Sequence, residues 1–559
     1  MIKPGNPDPA QLQALLQRDP KQPEIWLTLA RIQARQGSPG EAERSLRQAL
    51  KFDESFDIAR LELAQLLVRN GFPGPGIVQA QHLLERNPAN VEAWLIAGDA
   101  FSRNFQPSEA AMAYSRARGI APDHEGAAYA QARLMLEQNQ SKPAKAIVSQ
   151  YLKVGSALGQ HWWHLYARAQ LDLQGPVTAK AVLDKALVAF PKSDTLQALA
   201  AKVRYQLGDG DWVQTLLAAA QNKNAHEGMV LTAAAALRGG GRVDAAQSLV
   251  EYKLHQIKKT LTDGAGRGLW LELADCYLCQ GDFASGLKAA KMAQTLGSNP
   301  FPAPSRQLID ALLSLGQADE ALPLIRQLRH LLPKENRWLA AEATALRALG
   351  ENAGEQLFDT QRLVWVKDMP GDMWRSIQHA LDEELECLHN RAGPLLDQSL
   401  RGGTQTSLSL LQSTAPAIVR LLRYFLSSVD EYRAQLTPSE SHPFDQQLTG
   451  EPLLVGCWSV KLPSGGFHVN HLHSQGTLSS AFYVKVPSSI DAAHSQPHDR
   501  SGYLALGAPR FPVPGVGSTH WVQPRPGRLV LFPSWFWHGT VPFVDEQSRL
   551  SVAFDAIFR

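Results

Sequence analysis

Trp26 and Trp94 stand 68 residues apart, twice 34, and Arg60 opens an intermediate copy midway between them. Pro88 and Pro122 repeat the interval of 34. One copy, AWLIAGDAFSRNFQPSEAAMAYSRARGIAPD, puts small residues where two antiparallel helices touch. Its pattern residues are Trp94, Gly98, Phe101, Ala110, Tyr114, Ala117 and Pro122. A unit of this length is a helix–turn–helix that cannot bury its apolar face alone, so neighbouring copies must stack.

The pattern returns as Trp163, Ala167, Ala179, Ala186 and Pro191, and again as Trp270, Ala274, Tyr277, Gly281, Ala290 and Ala293. A further copy carries Gly316, Ala321 and Pro333. Between residues 195 and 255 the register blurs, though AAAALRGGGRVDAAQSLV still reads as helix–turn–helix. Ala and Gly let two helices approach closely, aromatics fill the gap between copies, and Pro ends the second helix. From about residue 10 to 350 the chain resembles the tetratricopeptide repeat. The resemblance implies a superhelix whose concave groove binds a protein or peptide. The plainer alternative is an array that stiffens the molecule or mediates self-association.

At 559 residues the chain is too long for one ordinary core, and two to four domains are expected. Hydrophobic content of 44% against 19% charged residues fits a globular protein. Lys+Arg number 55 and Asp+Glu 53, so nothing points to nucleic acid or to an anionic membrane as partner. The opening stretch MIKPGNPDPAQLQ lacks the apolar region of a signal peptide. No run approaches the roughly 18 apolar residues of a membrane span. Cys276, Cys279, Cys387 and Cys457 are no disulfide framework in so long a chain. A reduced, cytoplasmic protein is expected. Cys276 and Cys279 form a C-x-x-C, but with no second ligand pair it reads as helix packing.

The period stops after about residue 350. Helical texture continues through MWRSIQHALDEELECLHN, Gly402 and Gly403 mark a turn, and another helix is expected from Ala415 to about Gln435. From Pro452 onward, short β-like runs are broken by Gly and Pro: LLVGCWSVKL, LSSAFYVKV, GYLALG, HWVQ, GRLVLF and RLSVAFDAIF. Such texture predicts a β-sandwich or barrel. The division expected is 1–355 for the repeat solenoid and 356–559 for a second domain, with its β core at about 450–559.

Three histidines crowd into GFHVNHLHSQG: His468, His471 and His473. A fourth, His538, ends the apolar strand of PGRLVLFPSWFWHGTVPF, and Arg549 and Ser551 follow in SRLSVAFD. The set is therefore H-x-H, a distant His, then R-x-S. Ligands at i and i+2 lie on one side of a strand, and a third must come from a neighbouring strand. A metal held on one face keeps its other positions open for small reactants. A 2-oxo acid chelating that metal needs a fixed cation for its far carboxylate, and Arg suits the task. His494 and His498 lie in a polar loop and are weak candidates.

Residues from about 395 to 559 are similar to the Fe(II)/2-oxoglutarate oxygenases that follow tetratricopeptide repeats in bacterial proteins. The stretches that carry the likeness are SLRGGTQT, GGFHVNHLHSQGTLSSAFYV, RPGRLVLFPSWFWHGTVPF and RLSVAFD. The resemblance implies an α + β multidomain chain: a tetratricopeptide superhelix, then a double-stranded β-helix (jelly roll) with flanking helices. It implies Fe(II) as metal, 2-oxoglutarate and O2 as co-reactants, and hydroxylation as the reaction. It also places His471 and His538 as metal ligands, and Arg549, with Ser551 and Tyr483, at the cosubstrate. The wider superfamily has a carboxylate where His473 stands. Three arrangements are open: a His471, His473, His538 site, a two-histidine site with His473 outside it, or one that uses His468. Asp555 lies six residues beyond Arg549, about 20 Å at strand rise, which argues against shared ligation there. Trp535 and Trp537 flank His538 and are candidates to wall the pocket.

The reading favoured by these features is a dioxygenase that hydroxylates a protein or peptide recruited by the repeats. One rival is an interaction scaffold whose oxygenase-like domain is inactive or merely binds metal. Another is a metal-dependent lyase or isomerase on the same barrel.

Overall fold

A computed structural model of the chain describes residues 9–558 except 37, 105, 139, 155–158, 258–265, 297–304, 390–392, 397–398, 407–409, 437–438, 440–441, 475 and 494–498. The expected loop histidines His494 and His498 thus lie outside the described residues. Two compact units are formed. One falls within Met1–Leu134, Leu254–Leu271 and Ala290–Ser305, the other within Met135–Lys253, Glu272–Ala289 and Arg306–Arg559.

Antiparallel helix pairs build the first unit, and one contact recurs at the repeat interval. Trp26 Nε1 donates to the Pro20 carbonyl, Arg60 Nη2 to that of Glu54, and Trp94 Nε1 to that of Pro88, each at 2.9 Å. Proline opens the helices Pro23–Arg35, Pro39–Phe52, Pro73–Arg86 and Pro107–Ile120, where its missing N–H costs nothing. Ala42, Ala49, Ala80, Ala110 and Ala117 are fully buried between helices. Gly98 lies so close to Tyr114 that a Cβ there would meet the ring at 2.3 Å.

The same helix pairing continues in the second unit through Asn336–Ala348. Where side chains blur the register, the turns keep a spacing one residue shorter than the 34-residue period. Gly175, Gly208 and Gly241 follow one another at 33 residues, each with positive φ (88°, 73° and 80°). A chain leaving a helix in the left-handed region favours glycine there, so a regular spacing survives in the backbone.

Among the described residues eleven strands follow: β1 (Trp365–Asp368), β2 (Leu400–Arg401), β3 (Thr404–Gln405), β4 (Pro452–Leu462), β5 (Phe467–His468), β6 (Leu478–Lys485), β7 (Leu504–Leu506), β8 (His520–Val522), β9 (Arg528–Pro533), β10 (His538–Thr540) and β11 (Arg549–Phe558). They form a six-stranded sheet, β1-β9-β6-β11-β4-β3, and two small ones, β10-β7-β8 and β2-β5. Pairing is antiparallel throughout, as in a jelly roll. β1 corrects the sequence reading, in which helical texture continues unbroken from about residue 350 through MWRSIQHALDEELECLHN. Trp365–Asp368 instead pairs with β9, Trp365 opposite Leu531.

The helices Gly371–His389 and Pro416–Gln435 cover one face of the large sheet. Phe425 is the hinge of that packing, with ring centroids 5.5 Å from Phe482 and 4.6 Å from Phe554. Along β11, Leu550, Val552, Phe554 and Ala556 are fully buried. Alternation leaves Arg549, Ser551, Ala553 and Asp555 for the other, inner face. Among the described residues no helix is long and apolar enough to cross a membrane.

Phe425→Ala should destabilise this unit by about 3–5 kcal/mol, since it opens a cavity in a closed aromatic cluster. Denaturant unfolding followed by tryptophan fluorescence measures it. A loss below about 1 kcal/mol would mean that the helix does not close the sheet.

Candidate metal centre

The backbones of His471 and His538 are joined. Each N–H donates to the other's carbonyl at 2.9 Å, an isolated antiparallel bridge tying the loop after β5 to β10. Directly paired residues send their side chains to the same side, and the two rings lie 4.2 Å apart. His473 is fixed by its own N–H on the Ser534 carbonyl at 2.9 Å. One ring nitrogen from each of His471, His473 and His538 lies within 4.8 Å of the others. The i, i+2 pair does not sit in a regular strand, as the sequence suggested, but in the loop between β5 and β6.

All three Nδ1 atoms are committed. His471 Nδ1 donates to the Val469 carbonyl and His538 Nδ1 to that of Phe536, both at 2.9 Å. His473 Nδ1 lies 2.7 Å from both oxygens of Asp555. An imidazole that donates from Nδ1 keeps its lone pair on Nε2, so three Nε2 atoms are offered to one cation. Burial pushes the pKa of His471 down to about 3, with His473 adding to the effect. Burial likewise holds His538 well below the ordinary histidine range. Both rings are therefore neutral, the form that ligates metal. At His473 burial also works against charge, but the Asp555 carboxylate outweighs it and the pKa is raised. The donor set suits a divalent transition metal, whose imidazole ligands commonly give their other nitrogen to a carboxylate or a backbone carbonyl.

Asp555 is the residue that strand counting placed out of reach of Arg549. It does stand apart from Arg549, but the structure brings it to the histidines through the pairing of Asp555 with Ser479. Ser479 Oγ donates to it at 2.6 Å. The loop passes so close that a Cβ on Gly476 would lie 2.5 Å from Ser534 Oγ and 3.4 Å from Asp555 Cβ. The carboxylate absent from position 473 thus acts from one layer further out.

His468 is not in the cluster. Its Nδ1 is 3.0 Å from Ser399 Oγ, and its ring stacks on His471 at 5.6 Å. Arg549 is 4% exposed and donates to the Gly502 carbonyl at 2.8 Å and to Thr540 Oγ1 at 3.2 Å. Its Nε is buried without a partner, and among the described residues no carboxylate pairs with it. Burial presses its pKa down, which Tyr483 partly offsets, and its guanidinium lies 5.6 Å above the Tyr483 ring. Ser551, buried beside it, reaches the Val460 carbonyl only at 3.5 Å. Thr540 lies two residues beyond His538 on the same strand, about 6–7 Å at strand rise. Trp535 packs into the core against Phe358 at 6.4 Å, whereas Trp537 lines a cavity together with His471.

Asp555→Asn should weaken binding of a divalent ion about 10–100-fold while the protein stays folded, because the carboxylate orients His473 without ligating. Anaerobic titration with Co(II) as a spectroscopic probe measures this. Affinity unchanged from the wild type would remove Asp555 from the site.

Residues 456–555 match the family model described as "Putative 2OG-Fe(II) oxygenase", and residues 23–66 and 61–125 match tetratricopeptide-repeat models. Among curated proteins none matches. A tetratricopeptide repeat protein from Parabacteroides merdae is 14% identical over 50% of this chain and 94% of its own, with a TM-score of 0.30. A Pseudomonas putida prolyl-4-hydroxylase is 19% identical over 36% of this chain and 97% of its own, with a TM-score of 0.25. Likenesses at these scores carry no argument about activity. The chain carries tetratricopeptide repeats in its N-terminal part and, at residues 456–555, a domain that matches the model described as "Putative 2OG-Fe(II) oxygenase".

Proposed function

We propose that the chain is an Fe(II)- and 2-oxoglutarate-dependent dioxygenase that hydroxylates a protein or peptide side chain, with the repeats recruiting the substrate. His471, His473 and His538 would hold the iron through Nε2. Arg549 would bind the far carboxylate of 2-oxoglutarate. The observation that carries this reading is the buried, unpaired guanidinium of Arg549, one short strand away from three converging imidazoles. A desolvated cation with no anion is costly to keep, and here it is aimed at the inner face. A dicarboxylate that reaches both the metal and Arg549 supplies the missing anion.

Bound Fe(II) supplies the redox chemistry: one atom of O2 enters a substrate C–H, the other enters succinate, and 2-oxoglutarate loses CO2. The chain's own residues do the rest. Arg549 and Thr540 orient the cosubstrate, and Tyr483 supports the guanidinium from below. Asp555 holds the proton at His473 Nδ1, so the lone pair stays on Nε2. Its negative charge lies one bond network away and offsets the positive site that three neutral imidazoles leave around the metal. The matched repeats support a protein or peptide partner.

Adding Fe(II) and 2-oxoglutarate without oxygen should produce a visible charge-transfer band, and admitting air should release succinate. Arg549→Ala should weaken 2-oxoglutarate binding by at least about 30-fold, the loss of one buried charge partner, and leave iron binding nearly intact. Equal loss of both, or no band in folded wild-type protein, would favour the scaffold alternative.

A further inference from the structure

A cavity of about 150 Å³ opens onto His471. Its walls come from two sources within one compact unit. The last repeat helices, Arg306–Ser314 and Asn336–Ala348, give Ile309, Leu313, Trp338 and Ala341. The loop after β7 gives Pro509, Arg510 and Phe511, and Leu472 and Trp537 flank the histidines. Polar ties hold the two walls together. Arg347 donates to the carbonyls of Gly507 at 2.8 Å and Gly517 at 3.1 Å. Asn336 Nδ2 donates to the carbonyl of Gly476, three residues beyond His473.

Two properties define an occupant. First, sites for free small molecules usually measure about 300–1,000 Å³, so this volume suits a single amino-acid side chain. The lining is mainly apolar, so that side chain is aliphatic. Second, the charges do not cancel. Arg306 is neutralised by Asp275 and by Asp310, the latter at 2.6 Å, and Arg337 has Glu335 at 3.4 Å. Arg510, with its guanidinium 5.2 Å above Phe511, makes no ion pair among the described residues.

We propose that this cavity is the substrate subsite: it takes one aliphatic side chain of an extended peptide, and an adjacent Asp or Glu of the peptide meets Arg510. The inference rests on the oxygenase reading above, which supplies the reaction at the enclosed C–H. It makes the last repeat a wall of the active site as well as part of a recruiting array.

The test uses the full chain with Fe(II), 2-oxoglutarate and air. The probe is a synthetic library of glycine-flanked residue pairs, an aliphatic residue followed by Asp, Asn or Lys. Mass spectrometry reads the gain of one oxygen atom, and succinate is measured in parallel. The Asp series should be modified at least about tenfold faster than the Lys series, the scale of a part-buried charge contact. The variant Arg510→Glu should reverse that order. Its anaerobic charge-transfer band, which reads the metal site alone, should match the wild type. Equal modification of the Asp and Lys series, an Arg510→Glu variant that still prefers Asp, or succinate release with no peptide modified would each overturn the subsite. Absence of both band and succinate would sink the oxygenase reading itself, and the subsite with it.

Discussion

A buried imidazole aims a lone pair in a fixed direction only when its other nitrogen is tied down. The whole site depends on three such ties: two to backbone carbonyls, at Val469 and Phe536, and one to the carboxylate of Asp555. The carbonyl ties are geometric consequences of the fold, because His471 and His538 share a pair of backbone hydrogen bonds. The carboxylate tie is electrostatic. It places beside His473 the negative charge that a carboxylate at that position would have given directly.

The large sheet keeps two kinds of chemistry apart. Its outer face is closed by aromatic packing around Phe425, Phe482 and Phe554. Its inner face carries a cation at Arg549 and an anion at Asp555, neither paired with the other. A rigid apolar backing lets these charges be held out of water, at a cost that ligand binding can offset.

Much of this was legible in the sequence, for identifiable reasons. Close helix packing demands Ala and Gly at set intervals, so the repeat declared itself. The long strands were legible because β4, β6, β9 and β11 are apolar runs bounded by turn residues. Trp365–Asp368 was not, because four residues in helical surroundings become a strand only by pairing with residues near 530. The convergence of His471, His473 and His538 was expected as one of three arrangements, and the structure adds what spacing cannot supply. Distance along β11 separates Asp555 from Arg549, but the contact with His473 depends on the register between β11 and β6, across 82 residues of sequence. Arg347 and Asn336 read as ordinary repeat residues, and nothing local marks them as partners of Gly507 and Gly476.

β11 has a further property. Because successive side chains point to opposite faces, its odd-numbered positions Arg549, Ser551 and Asp555 face the candidate site and its even-numbered ones the core. Losing a single residue midway, near Ala553, would invert whichever half of the strand shifted, driving either a guanidinium or a carboxylate into the phenylalanine layer and a bulky hydrocarbon into the polar inner face. Solidity and chemistry are written on alternate letters of one ten-residue word, so evolution can respell that segment but can hardly shorten it.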